Sequence, residues 1–418
     1  MKAYWDNGPV QLYQADARSI PLPDQSVHCV VTSPPYFGLR VYKDNDDRGI
    51  GLESTVEDYI GNLVDVFREV RRVLRDDGAL WLNLGDSYGD GGDRLGIPER
   101  VVMALQADGW IWRDTVIWAK KSAMPESVAG WRWERCRVKV GNEGRGGEAW
   151  RDGPNGDAIQ QGHAKDGSFA QDAQWEDCPG CPKCADNDGL VLRKSSWRTT
   201  QAHEYIYMLT KGMGYYADGE AVKTANIDPY DNRKGRNHNG NKQPSGTLAY
   251  IRAGDAIYPS ANRRSVWNDI SPEPYGGSHF ATFPSDLPRI CIQASTSERG
   301  CCSECGSQWA RVVEREKHPT RDMEAQRAAT AIATGRDDRH VSGPEKMLDT
   351  TTSTGWRPTC NHTAPAIPAT VLDPFSGTAT TCAAAQRLGR RAVGVDISEA
   401  YLDQAVRRLS AVTLPMGI

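Results

Sequence analysis

The chain of 418 residues has no apolar run approaching the roughly 20 residues that a membrane-crossing helix needs. Its first residues, MKAYWDNGPVQLYQAD, show no basic segment followed by an apolar one. A secretory signal is therefore not expected, and the chain reads as cytoplasmic with no membrane partner. Neither sign of charge dominates: the formal net charge of -4 excludes a wholly basic nucleic-acid coat protein, though not a local basic face. Gly-Lys-Ser/Thr is absent, which excludes a P-loop for a nucleoside triphosphate. There is no internal repeat and no low-complexity tract. Cysteine, by contrast, is not scarce. In a chain read as cytoplasmic, eleven cysteines are not expected to form disulfides, so metal binding is the leading reading where their spacing is tight.

What is there first is an alternation of strand and helix patterns. Val27-His28-Cys29-Val30-Val31 is an apolar run that ends in Thr32-Ser33-Pro34-Pro35-Tyr36. Ser54-Thr55-Val56-Glu57 has the form of a capping box. It precedes Val56, Tyr59, Ile60, Leu63, Phe67, Val70 and Leu74 at helical spacing, with Gly78 as a stop signal. Ala79–Leu84 is a strand, Ile97–Ala107 a helix and Trp112–Trp118 a strand. This order predicts a mainly parallel α/β sheet. The pattern lapses over 129–195, a stretch rich in Gly, Asp, Trp and Arg, which predicts an insertion with its own stabiliser. Glu204–Thr210 reads as a strand, and 222–290 as polar and loop-rich. Residues 298–365 form a second insertion, with a helical piece around Met323–Thr334. From Pro368 the alternation resumes: strand Val371–Asp373, helix Thr380–Leu388, strand Ala392–Val395 and helix Ser398–Leu409.

Two strand ends carry the chemistry. Asp373-Pro374-Phe375-Ser376-Gly377-Thr378-Ala379-Thr380-Thr381 leaves a strand and opens a helix. Its small residues allow close approach of a ligand, and the turn aims a helix N-terminus at it. About twenty residues later Val393-Gly394-Val395-Asp396 ends the next strand on a carboxylate, placed as in nucleotide-binding α/β folds that hold a ribose. The spacing points to an adenosine-containing cofactor, although the glycine signal alone is weak. Taken alone, Ser33 would be a strand-end turn and Tyr36 a core aromatic.

Together the two motifs resemble those of the S-adenosylmethionine-dependent amino DNA methyltransferases. That family carries Asp-Pro-Phe-x-Gly-x-Gly for the cofactor and Ser/Asn/Asp-Pro-Pro-Tyr/Phe for the target base. The resemblance covers most of 10–125, 196–222, 276–296 and 368–410. With the base motif first and the cofactor motif last, the chain is similar to the permuted beta group. The resemblance implies a Rossmann-like methyltransferase fold. It assigns Asp373, Phe375, Gly377, Thr378 and Asp396 to S-adenosylmethionine. It adds Asp16 for the adenine, and Phe280 and Thr282, within His279–Pro284, for the methionine end. Ala379 departs from the family by replacing the last glycine. The hydroxyl of Ser33 and the carbonyl of Pro34 would accept hydrogen bonds from an exocyclic amine, localising its lone pair and taking up developing charge. Pro34 and Pro35 fix the backbone there. Tyr36 would stack on a base extruded from the duplex. In this family Ser at the first position is associated with cytosine N4, and Asp or Asn with adenine N6.

The cysteines fall into two sets. Cys178, Cys181 and Cys184 sit at two-residue spacing, with Cys136 as the fourth ligand and His163 as its rival. Cys302 and Cys305 pair with Cys360 and His362. Cys301, adjacent, would break that spacing. Each set makes a closed four-ligand zinc site that knots an insertion too poor in apolar residues to fold alone. The expected content is about two structural zinc ions per chain. A redox pair, or cysteines that bind nothing, are the rival readings. Cys29, Cys291 and Cys382 lie in apolar or small-residue contexts and read as buried thiols.

Residues 222–267 hold Lys223, Arg233, Lys234, Arg236, Lys242, Arg252, Arg263 and Arg264 against three Asp. Such a stretch can meet phosphates and read base edges, and it stands where the resembling family keeps its target-recognition region. Arg132, Arg135, Arg137 and Lys139 of the first insertion add cations.

The expected organisation is therefore the following. A catalytic half spans 1–128 and a zinc insertion 129–195. The chain returns to the sheet over 196–221, and recognition occupies 222–275. A cofactor-end segment covers 276–297, a second zinc insertion 298–365, and the S-adenosylmethionine-binding half 366–418. The expected activity is methylation of cytosine N4 in double-stranded DNA. The alternatives are adenine N6, an RNA or protein-amide acceptor, or an inactive zinc-dependent DNA-binding protein. Restriction-modification with a cognate restriction endonuclease is one setting for such an enzyme, beside self-protection and regulation. The sequence does not specify the oligomeric state.

Overall fold

The computed structural model describes residues 1–38, 49–89, 92–121, 129–140, 174–225, 260–271, 283–319 and 347–411. The chain divides into two compact units, Met1–Ser122 with Ala202–Ile418, and Ala123–Gln201.

The first unit is built on a nine-stranded sheet. Its strands are β1 (Trp5–Asp6), β2 (Val10–Gln14), β3 (Val27–Thr32), β4 (Leu74–Leu84), β5 (Ile111–Ala119), β6 (His203–Thr210), β7 (Val266–Trp267), β8 (Thr370–Asp373) and β9 (Arg391–Asp396). They lie in the order β1-β2-β9-β8-β3-β4-β6-β5-β7. Neighbours from β2 to β4 are all parallel, whereas β6 runs antiparallel to both β4 and β5. All six residues of β3 are buried. A mainly apolar, Val-rich run of this kind belongs in a parallel strand covered on both faces.

The cover is two layers of helices. On one face α1 (Val56–Val73) and α2 (Ile97–Ala107) close over Val30, Leu80, Leu82, Leu372 and Val393. On the other, α3 (Asp286–Ser295), α4 (Thr380–Arg387) and α5 (Glu399–Ser410) close over Cys29, Val31, Trp81, Val371 and Ala392. Successive strand residues thus serve opposite layers.

Because late strands β8 and β9 insert between early strands β2 and β3, the two motif-bearing strand ends are neighbours. The C-terminal ends of β2, β9, β8, β3, β4 and β5 lie along one edge, joined there by the N-terminal end of the antiparallel β6. The registers Asp373↔Gly394, Thr32↔Leu82, Tyr205↔Leu84 and His203↔Ala119 set this alignment. In open α/β sheets this edge is where ligands bind.

Several local expectations shift. The cap of α1 is Thr55, not Ser54: its Oγ1 accepts the Asp58 N–H at 3.1 Å. Gly78 does not end the helix. The helix stops at Val73, and β4 begins at Leu74. Gly78 lies inside that strand, where a Cβ would come within 2.5 Å of Leu74 Cδ1 and 3.0 Å of the His28 carbonyl oxygen. Helix α3 falls in a stretch read as polar or cofactor-end. Its apolar face of Leu287, Ile290, Cys291 and Ile292 is short, and Pro288 sits in its first turn, where proline is tolerated. The second insertion contributes an antiparallel ribbon of Ala310–Pro319 with Met347–Arg357. The helical piece around Met323–Thr334 lies outside the described residues.

The second unit contains two antiparallel ribbons, Ala129–Arg135 with Leu190–Trp197 and Arg137–Val140 with Gln174–Asp177. Among the described residues no helix is long and apolar enough to cross a membrane.

Candidate active site

Beyond the end of β3, Ser33 enters a polar cluster drawn from four strands. Ser33 Oγ donates to Tyr36 Oη at 3.4 Å, and Tyr36 Oη donates to Glu204 Oε2 at 2.9 Å. Asn83 Nδ2 lies 3.0 Å from Tyr36 Oη, 2.8 Å from Glu204 Oε2 and 3.4 Å from Ser33 Oγ. The Lys120 ammonium pairs with Glu204 Oε1 and lies 5.2 Å from the centre of the Trp118 ring. Burial, and after it the Glu204 charge, hold the Tyr36 phenol well above its ordinary pKa, so it stays protonated.

The Tyr36 ring is seated as firmly as its hydroxyl. A Cβ on Gly85 would lie 2.7 Å from Tyr36 Cε2, so only glycine lets the ring rest against that backbone. Tyr59 Oη donates to the Pro35 carbonyl at 2.9 Å and steadies the diproline from α1. Asn83 Oδ1 is buried with no hydrogen-bond partner among the described residues.

Asn83, Gly85, Lys120 and Glu204 were not anticipated from the sequence. One signal was available: Asn83 interrupts an otherwise apolar strand next to its end, and a buried amide needs partners. Glu204 and Lys120 became visible only through register, because Glu204 faces Trp118 across the β5–β6 pair.

The turn after β8 lies beside this cluster. Thr32 Oγ1 donates to Asp373 Oδ1 at 2.7 Å, and the Phe375 N–H donates to the same oxygen at 3.1 Å. Asp396, at the end of β9, accepts the Gly377 N–H at 2.8 Å and the Ser398 N–H at 2.9 Å. Burial pushes both carboxyls up to about 6, against the hydrogen bonds that favour their ionised forms. Gly377 has φ of +49°, and no atom of the described residues lies within 4 Å of the place a Cβ would take, so among them space is open before its backbone. Ser376 Oγ is buried and unpartnered among the described residues. Thr378 is buried, with Arg408 Nη1 3.5 Å from its Oγ1, and Phe375 packs on the layer under α1.

Ala379 takes φ of +62° at the start of α4, the left-handed backbone that glycine adopts freely. Its methyl is fully buried in the opposite layer. The turn keeps its shape without the family's last glycine.

Asp16 follows β2, and Ala15 N–H donates to the Asp396 carbonyl at 3.1 Å. The Asp16 carboxylate is held by the Arg18 guanidinium, at 2.7 Å from Nη2 and 3.0 Å from Nε. Phe280 and Thr282 lie outside the described residues.

Both cysteine sets converge. The ligand atoms of Cys136, Cys178, Cys181 and Cys184 lie within 4.8 Å of one another, as do those of Cys302, Cys305, Cys360 and His362. In the first, the Cys178 N–H donates to the Cys136 carbonyl at 2.7 Å at the end of the second ribbon, and the Cys136 N–H donates to the Gly189 carbonyl at 2.8 Å at the end of the first. The second sits against the sheet: Arg75 Nη1 donates to the Cys305 carbonyl at 3.0 Å, and His28 Nε2 meets the Gly306 carbonyl at 3.0 Å. Cys301 Sγ turns instead to the Ile367 carbonyl at 3.5 Å. Cys29, Cys291 and Cys382 are buried thiols, and burial raises their pKa values. His163 lies outside the described residues.

Of the basic residues expected to meet DNA, Arg233, Lys234, Arg236, Lys242 and Arg252 lie outside the described residues. Arg263 is engaged inward, with Nη2 2.6 and 2.7 Å from the two Asp269 oxygens and its guanidinium 4.9 Å from the Trp267 ring centre. Arg264 is exposed.

A mainly parallel sheet with a carboxylate-ended turn and a Ser-Pro-Pro-Tyr strand end on one edge defines a methyltransferase-type α/β fold. The chain belongs to the N6/N4 DNA methylase family, whose model matches residues 27–303 and 363–407. It is therefore an S-adenosylmethionine-dependent DNA methyltransferase. The type II methyltransferase M.SmaI of Serratia marcescens is 33% identical to it over 300 residues, covering 65% of this chain and 70% of that protein. M.Cfr9I of Citrobacter freundii, also a type II methyltransferase, is 32% identical over 315 residues, covering 68% and 72%. Among solved structures, the cytosine-N4-specific PvuII DNA methyltransferase aligns over 97% of this chain and 88% of its own, with 13% identity and a TM-score of 0.47.

Proposed function

We propose that this methyltransferase modifies the exocyclic N4 amine of cytosine in double-stranded DNA. The observation that carries the site assignment is the Thr32–Asp373 hydrogen bond at 2.7 Å. It sets the base motif and the cofactor turn side by side, the arrangement that direct transfer between two bound molecules needs. S-adenosylmethionine, when bound, supplies a sulfonium methyl. Asp396, Gly377 and Phe375 are the groups to hold its nucleoside, and the open space at Gly377 fits a ligand there. Asp16 would meet the adenine, sharing its carboxylate with Arg18. Phe280 and Thr282 are assigned to the methionine end.

At the other side of the site, Ser33 Oγ and the Pro34 carbonyl accept from the target amine and draw its lone pair out of ring conjugation. Tyr36, held by Gly85 behind and Glu204 at its tip, offers a ring to the extruded base. The choice of cytosine N4 rests on serine at position 33. Adenine N6 is the alternative. The two cysteine sets are assigned to structural zinc, since each offers a complete ligand set with no open position. Residues 222–275 are assigned to target recognition, and the type II names of the relatives favour a restriction-modification setting.

The test is to express the chain in a host lacking DNA methylation, then sequence the modified DNA and identify methylated nucleosides by mass spectrometry. N4-methylcytosine at a fixed sequence is the expected result. N6-methyladenine would overturn the base assignment, and unmethylated DNA the site assignment.

A further inference from the structure

Methyl transfer to an exocyclic amine leaves a proton to be removed, and Ser33, with an alcohol's weak basicity, cannot keep it. The geometry points to Glu204 as its destination, reached through Ser33 and Tyr36. This inference rests on the assignment of Ser33 to the target amine.

The hydrogen bonds already run in the required direction. Ser33 Oγ donates to Tyr36 Oη at 3.4 Å, and Tyr36 Oη donates to Glu204 Oε2 at 2.9 Å. Asn83 Nδ2 lies within 3.4 Å of all three oxygens and shares its two N–H donors among them, but an amide does not itself take up the proton. When the methyl carbon bonds to the amine nitrogen, the C–S electron pair stays on sulfur and the nitrogen becomes cationic. One N–H bond then breaks and its electron pair returns to nitrogen. The proton goes to Ser33 Oγ as the serine's own proton passes to Tyr36 Oη, and the tyrosine's to Glu204 Oε2. Ser33 and Tyr36 end as they began, and Glu204 ends neutral.

Two features suit this path. The Tyr36 phenol stays protonated, so it can pass a proton on without ever holding a charge. Lys120 pairs with the second Glu204 oxygen, which leaves Oε2 to Tyr36. An exocyclic aminium, whose ring has lost conjugation with its nitrogen, is a strong acid and gives up its proton readily. General acid–base groups of this kind contribute about 10²–10⁴-fold.

Glu204→Gln and Tyr36→Phe separate the path from mere packing. Both keep the shape, and Tyr36→Phe keeps the ring. Single-turnover methylation is measured at saturating S-adenosylmethionine across pH 5–9, with 2-aminopurine fluorescence at the target base as a separate readout of base extrusion. Each variant is expected to extrude the base as the parent does while methylating about 10²-fold more slowly. A drop under tenfold in both variants overturns the relay. If Glu204→Gln does not fold, Tyr36→Phe decides alone: a parental rate overturns the relay, a 10²-fold loss supports it. Ser33→Ala distinguishes the two levels of the argument. Full activity there removes the assignment of Ser33 itself, whereas an inactive Ser33→Ala beside active Glu204→Gln and Tyr36→Phe removes the relay alone.

Discussion

Thr32 Oγ1 and Asp373 Oδ1 lie 2.7 Å apart although 341 residues separate them in the chain. Thr32 ends β3 and Asp373 ends β8, and the two strands are parallel neighbours. One hydrogen bond therefore couples the Ser-Pro-Pro-Tyr strand end to the Asp373–Thr381 turn. Thr32→Val keeps the volume and removes the donor. Leaving a buried carboxylate short of one partner is expected to cost about 1–3 kcal/mol of stability. The Asp373 pKa, already raised to about 6, should rise further, since Thr32 favours the ionised form. Denaturant unfolding and cofactor calorimetry check this. Unchanged stability together with unchanged affinity would show that the bond couples nothing.

Asp373 and Asp396 both titrate at about 6 in the fold, against an ordinary value of 3.8. Because the folded values are raised, these two acids contribute stability to the cofactor-free protein below about pH 4, and lose that contribution as pH rises through 6. If both carboxyls meet the cofactor as proposed, a cationic S-adenosylmethionine prefers their ionised forms. The thermal shift produced by S-adenosylmethionine should therefore be larger at pH 7.5 than at pH 5. An equal shift at both pH values would argue that neither carboxyl meets the cofactor.

Ala379 carries the left-handed backbone of a glycine with a buried methyl. Ala379→Gly removes roughly 1–2 kcal/mol of backbone strain. It also loses about 0.8 kcal/mol of methyl burial and gains chain entropy in the unfolded state. The net change in stability is expected within about 1 kcal/mol, with cofactor affinity altered less than threefold. Ala379→Val has no such balance, and a β-branched residue there should destabilise by about 2 kcal/mol or more. A tenfold gain in cofactor affinity for the glycine variant would instead identify the alanine as an impairment.

How far the sequence carried depended on where each signal resides. The strands β3, β8 and β9 were legible because buried parallel strands write themselves as short apolar runs, and their ends carry compact motifs. The cysteine sets were legible because the Cys302/Cys305, Cys360/His362 and Cys178/Cys181/Cys184 spacings are each local, although Cys305 and Cys360 are far apart. Glu204 and Lys120 were not, since their relation to Tyr36 comes from strand register and from an antiparallel β6 that a polar strand start does not announce. Thr55 displaced Ser54 as the cap because either hydroxyl suits the pattern and only the backbone decides. The ribbon of Ala310–Pro319 with Met347–Arg357 was missed because its strands are polar and its stability lies in pairing.

The two cysteine sets should respond differently to loss of metal. Cys136, Cys178, Cys181 and Cys184 lie in the unit 123–201, which has its own contacts. Cys302 and Cys305 flank a turn held by Arg75 at the Cys305 carbonyl and His28 at the Gly306 carbonyl. His28 Nδ1 in turn accepts the N–H of Thr370, where β8 begins. That turn braces the sheet at the end away from Ser33 and Asp373. Metal analysis of the parent should find about two zinc ions per chain. Cys181→Ser should lose one and leave the melting of the methyltransferase body nearly unchanged. Cys305→Ser should also lose one, but lower that melting temperature by several degrees, because a brace on β3 and β8 is released. S-adenosylmethionine affinity at low temperature, where both variants are folded, should stay near the parental value, since neither set includes a residue assigned to the cofactor. A parent without zinc, or two variants that melt alike, would refute this division of roles.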